Sequence, residues 1–149
     1  MPDRDVVLAK VAAIQRCLSR IREVTGVVAD SLDDQNVQDI FVLNLQRAIQ
    51  SAIDLASHVV ATEGLGLADS IRANFSLLEQ KGIISKRLSK RMQAMVGFRN
   101  IAIHEYQVLN SEIMKRILVK HLNDLEDFYT AILTHFSFAK GERKRRKKR

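Results

Sequence analysis

The sequence predicts an all-α chain, an antiparallel bundle of four to five helices. Apolar residues recur at steps of three and four along several long blocks, the pattern of helices that each bury one stripe. No segment alternates apolar and polar residues with the period of two that a half-buried strand needs. Short Gly-containing or polar breaks separate the blocks, and the single Pro, Pro2, precedes the first of them, so the connections are short and neighbouring helices should pack antiparallel.

The first helix is expected from about Asp3 to Val28, with Val7, Val11, Ile14, Leu18, Ile21 and Val28 on its buried stripe. Cys17 lies in this pattern and reads as a small core residue; with no second Cys there is no disulfide framework. The polar run Ser31 to Asn36 reads as a turn with several possible N-caps. A second helix follows from about Asn36 to Thr62. Phe41, Leu45, Ala48, Ala52, Leu55 and Val59 form one row, and Ile49, Ile53, Ala56 and Val60 a neighbouring one. So wide an apolar face needs contact on more than one side, and a second protomer is one candidate for it. His58, beside that face, reads as a structural or solvated residue rather than a ligand. Gly64 and Gly66 end the helix.

A shorter helix is expected from about Ala68 to Gln80, with Ile71, Phe75 and Leu78 inward and Gly82 after its end. Ser85 is the expected N-cap of a fourth helix that buries Leu88, Met92 and Met95 and exposes Lys86, Arg87, Lys90 and Arg91. The last helix runs from about Ser111 to Phe138, capped by Asn110 or Ser111, with Leu118, Leu122, Leu125, Tyr129, Ile132 and Phe136 in step.

The formal net charge of +7 is a local feature. Residues 140–149 hold eight Lys or Arg against one Glu, whereas the preceding 139 residues hold sixteen charges of each sign. The division is therefore a helical domain over residues 1–139 and a basic tail over 140–149, expected to be disordered by self-repulsion. The tail would add sequence-independent affinity for RNA phosphates or be a solvated extension. No run of about 18 apolar residues is present, and Met1-Pro2-Asp3-Arg4-Asp5 lacks a secretory pattern, so a cytoplasmic location is expected.

The chemistry concentrates between Arg99 and Tyr106. Arginine keeps its charge and can grip two phosphate oxygens, offsetting charge that builds in a transition state. An imidazole with an ordinary pKa near 6.5 can serve as base for a ribose 2′-OH or as acid for the leaving 5′ oxygen. Asn100 would orient the phosphate or the imidazole. This route needs no metal, and no cofactor motif is present; Glu105 alone is not a two-metal carboxylate set. On an unbroken helix, residues five apart lie roughly 140° apart. Arg99 and His104 converge only if the helix ends or distorts between them, or if a twofold mate supplies the second group. The spacing by itself also fits a surface Arg and a capping His. Basic residues Lys86, Arg87, Lys90 and Arg91 lead into this stretch and are candidate RNA contacts.

The longer string Met95-Val96-Gly97-Phe98-Arg99-Asn100, followed after three residues by His104-Glu105-Tyr106, resembles the HepT family of the HEPN superfamily. Asn44-Leu45-Gln46 through Asp54 is similar to that family's second helix, and Phe75 to Gly82 to its third. The resemblance implies a HEPN fold, and a homodimer with its active site in the twofold cleft. It implies a metal-independent endoribonuclease, the toxin of a bacterial type VII toxin–antitoxin pair, with Arg99, Asn100 and His104 at the catalytic positions. It also implies a nucleotidyltransferase antitoxin, MntA-like, that transfers AMP onto Tyr106. One departure stands out: Gln50 occupies a position where relatives often carry an acid. A non-catalytic HEPN-like module that binds nucleotide or RNA through the same cleft is the alternative.

Overall fold

The computed structural model describes residues 1–138. The helices are α1 (Arg4–Thr25), α2 (Gln35–Thr62), α3 (Ile71–Gln80), α4 (Lys86–His104), α5 (Ser111–Arg116) and α6 (Leu122–His135). A π-helical turn, Ile117–His121, joins α5 to α6 without a break, so the two form one rod. Short 3-10 turns, Ala29–Asp33 and Tyr106–Val108, complete the connections. The basic tail after Lys140 lies outside the described residues.

The helix starts follow local chemistry. A side-chain oxygen of Asp3, Asp34, Ser70, Ser85 or Asn110 accepts a backbone N–H in the first turn of α1 to α5 respectively. His58 has a structural role, because its Nε2 accepts the backbone N–H of Asp3 at 3.0 Å and ties the start of α1 to the end of α2.

α1 ends earlier than the sequence suggests. Gly26 adopts the left-handed conformation (φ 60°) and closes the helix after Thr25. Val27 follows at φ 58°, and Val28 leaves the stripe and stands exposed. Ile71 likewise starts α3 on the solvent side, while Phe75 and Leu78 are buried. Cys17 is half-buried at the rim of a concavity between α1 and α2, and burial pushes its thiol pKa up.

Both apolar rows of α2 are buried. The other helices of the same chain cover them, since α1, α3, α4 and α6 all pack on α2. The width of that face therefore does not call for a second protomer. At the centre, Phe75 and Phe128 meet edge to face at 5.4 Å, both fully buried. No described helix is long and apolar enough to cross a membrane.

Candidate functional site

α4 carries Arg99, Asn100 and His104, and Tyr106 follows in the 3-10 turn beyond its end. The helix runs unbroken through Arg99 and His104 and ends at Glu105, which leaves the helical region (φ −141°, ψ 50°). The break that would let Arg99 and His104 converge within one chain is absent; the helix ends between His104 and Tyr106. Within one chain the two side chains therefore stay on different sides of the helix, roughly 140° apart.

Arg99 points inward, toward α2. Its Nη2 donates to Gln50 Oε1 at 2.6 Å and its Nη1 to Asn100 Oδ1 at 2.9 Å. Gln50 Nε2 donates in turn to Asp54 Oδ1 at 2.9 Å, and Asp54 Oδ2 accepts from Lys10 Nζ at 3.1 Å. This chain of contacts fixes which end of the amide faces which partner. The oxygen must meet the guanidinium and the nitrogen must meet the carboxylate. An uncharged group thus orients Arg99 without spending its charge. The Nε–H of Arg99 is buried and has no acceptor. A buried donor left unmatched costs free energy that an arriving anionic oxygen would recover.

His104 is exposed on the last turn of α4. Tyr106 opens the following 3-10 turn and is 37% exposed. Its phenol donates a short hydrogen bond to Oδ1 of Asp39, near the start of α2. Partial burial, then the bond to this carboxylate, raise the Tyr106 pKa. The same bond holds the Asp39 carboxyl below its ordinary range. The contact spans 67 residues and docks the turn after α4 onto α2.

The basic face divides. Lys86, Arg87 and Lys90 are exposed. Arg91 borders the same surface, but its guanidinium turns to the buried Asp124 at 3.0 Å and lies 3.3 Å from His121 Nδ1. His121 sits in the π-helical turn, and the Arg91–His121–Asp124 cluster closes one end of an apolar cavity of about 430 Å³ between α4 and the α5–α6 rod. Neither this cluster nor Asp39 carried a signal in the sequence. The Arg91 contacts and the Tyr106–Asp39 bond join residues 30 or more apart, whereas His121 and Asp124 are three apart. Among the described residues, no three His, Cys, Asp or Glu side chains group as a metal site would require.

A helical bundle with an Arg-x4-His motif on the penultimate long rod is the architecture of a HEPN-type domain. Residues 14–132 match the family described as Ribonuclease HepT-like, and the chain belongs to that family. It is 41% identical over 128 residues to the mRNA nuclease HepT of Shewanella oneidensis, covering 86% of this chain and 96% of that one. Among solved structures, a toxin–antitoxin pair with AMP-PNP superimposes with a TM-score of 0.83 at 39% identity, covering 87% of this chain and 98% of that chain. The tri-AMPylated HEPN toxin of Shewanella oneidensis, in complex with MNT antitoxin, gives 0.82 at 40% identity with the same coverage.

Proposed function

We propose that this chain is the endoribonuclease toxin of a type VII toxin–antitoxin pair. A bound strand's 2′-OH attacks the adjacent phosphorus, the 5′ oxygen leaves, and a 2′,3′-cyclic phosphate remains. His104 moves the proton, Arg99 holds the phosphate oxygens, and Asn100 keeps the guanidinium aligned. The observation that carries this reading is identity of 41% with an mRNA nuclease over nearly the whole of both chains. The Arg99 environment supports it: an oriented cation with an unmatched buried donor is suited to an incoming phosphate oxygen.

A single copy does not aim Arg99 and His104 at one phosphate. The active form is therefore a homodimer whose cleft pairs Arg99 of one copy with His104 of the other. Lys86, Arg87, Lys90 and the flank of Arg91 guide the RNA backbone. An MntA-like nucleotidyltransferase acts as antitoxin by adding AMP to Tyr106. The added phosphodiester puts a negative charge beside Asp39 and two residues from His104, where it repels RNA.

The test is cleavage of RNA by the purified protein in excess EDTA, with the new ends identified by mass. We expect 2′,3′-cyclic phosphate ends and a loss of about a hundred-fold or more in His104→Ala at unchanged melting temperature. Undiminished cutting by His104→Ala would remove the assigned chemistry.

A further inference from the structure

α4 carries more of the substrate path than its own side chains supply. On its helical wheel, Lys86, Lys90, Gly97 and His104 fall within about 40° of one another, and Arg99 lies on the opposite side. His104 thus shares a face with the lysines rather than with Arg99. Lys90 and His104 are 14 residues apart along α4, roughly 21 Å, too far for one nucleotide to bridge. Gly97 lies at the midpoint of that gap and offers no side chain.

The gap is filled from α3. The guanidinium of Arg72 rests directly on the α4 backbone there: a Cβ built on Gly97 would lie 2.8 Å from Arg72 Nη2. One turn away, Gln93 Nε2 donates to Ser76 Oγ at 3.3 Å, so α3 and α4 run antiparallel with their 72/76 and 97/93 faces together. Arg72 is exposed, and among the described residues no carboxylate pairs with it. An unneutralised guanidinium, laid in a notch that only glycine provides, stands midway between the basic start of α4 and the histidine at its end.

We propose that Arg72, seated on Gly97, is a backbone-phosphate contact that joins Lys86 and Lys90 to His104 in one continuous track for single-stranded RNA. The proposal rests on the ribonuclease reading and adds to it the direction of the strand, which runs along α4 rather than across it. Arg72 contacts a phosphate removed from the scissile one. Its loss weakens binding of a long strand and leaves the smallest substrate alone.

The experiment compares wild type, Arg72→Gln and Gly97→Ala. Cleavage is measured on a dinucleoside monophosphate and on a longer single-stranded RNA, and binding of the longer RNA is followed against salt in a His104→Ala background. For Arg72→Gln we expect about a three- to five-fold loss on the long RNA, no change on the dinucleotide, and a salt slope lower by about 0.7. Gly97→Ala keeps every charge and displaces only the flexible end of Arg72. It should lose part of the same affinity while its melting temperature holds or rises, since Ala favours a helix over Gly. Equal RNA affinity and salt slope in Arg72→Gln would overturn the proposal. So would RNA binding that is intact while binding to the nucleotidyltransferase is lost, which would make the notch a protein contact. If wild type cuts no RNA, the ribonuclease reading fails first, whatever Arg72 does.

Discussion

Replacing Gln50 with Ala isolates the contribution of Arg99's orientation. The substitution removes the acceptor 2.6 Å from Arg99 Nη2 and the donor that meets Asp54, but leaves every charge in place. A hydrogen bond to a charged group is worth roughly 1.5–3 kcal/mol when buried. Arg99 is half-buried, and water replaces part of what is lost, so about 1 kcal/mol is expected. Spent on alignment in the transition state, that is about a five-fold fall in kcat/KM. Gln50→Glu is the informative partner. Its carboxylate would neutralise Arg99 and face Asp54, so phosphate affinity should fall further although Arg99 is held more firmly. The assay is cleavage of a short fluorogenic RNA in EDTA, with melting temperatures measured beside it. Wild-type rates in Gln50→Ala, or faster cutting by Gln50→Glu, would refute the argument that a neutral acceptor preserves the cation for substrate.

Tyr106→Phe should abolish the gain of AMP mass on incubation with the cognate nucleotidyltransferase and ATP, and an unchanged gain would place the acceptor elsewhere. Removing the carboxylate in Asp124→Ala leaves Arg91 and His121 unmatched at a site only 5% exposed. Breaking such a pair costs about 3–5 kcal/mol when fully buried; with Arg91 partly solvated we expect about 2 kcal/mol, read as a lower midpoint in urea. The Tyr106–Asp39 contact should follow pH in two limbs. The lowered Asp39 pKa means the contact is in force above the ordinary carboxylate range and is lost as pH falls through the folded value. The raised Tyr106 pKa means it is in force below the ordinary phenol value and is lost as pH rises through the folded one. The chain has no Trp and two Tyr, so a Tyr129→Phe protein reports Tyr106 emission and phenolate absorbance alone. A phenolate midpoint equal to that in urea would contradict the assignment.

The helices were legible because their signals are local. The stripes of α1 and α2 follow three- and four-residue steps, and Ser85 and Asn110 cap where their type and place suggest. Val28 was misplaced because Gly26 turns the chain left-handed two residues earlier, an effect that apolar periodicity does not carry. The π-helical turn at Ile117–His121 was likewise invisible, since the buried Leu118, Leu122 and Leu125 keep the four- and three-residue steps of an α-helix across it. In the candidate site, the sequence shows the residue types of Arg99, Asn100, His104 and Tyr106. It does not show their surroundings. Gln50 and Asp39 meet α4 and the turn beyond it across 49 and 67 residues, and Arg72 reaches Gly97 only because α3 and α4 pack antiparallel. Such pairings come from tertiary packing and leave no spacing to find.

The chain of contacts from Lys10 through Asp54 and Gln50 to Arg99 also sets where the site is anchored. Arg99 is moored to α1 and α2, which pack along each other at the heart of the bundle, where hydrogen exchange requires the widest opening. His104 and Tyr106 sit at a helix terminus and a one-turn loop, where opening costs least. The Arg99 side is thus tied into the core of the bundle, and the turn that follows His104 is held to α2 by the Tyr106–Asp39 contact. On the proposed reading, AMP on Tyr106 would replace the phenol hydrogen that meets Asp39 and leave the contacts from Lys10 to Arg99 untouched.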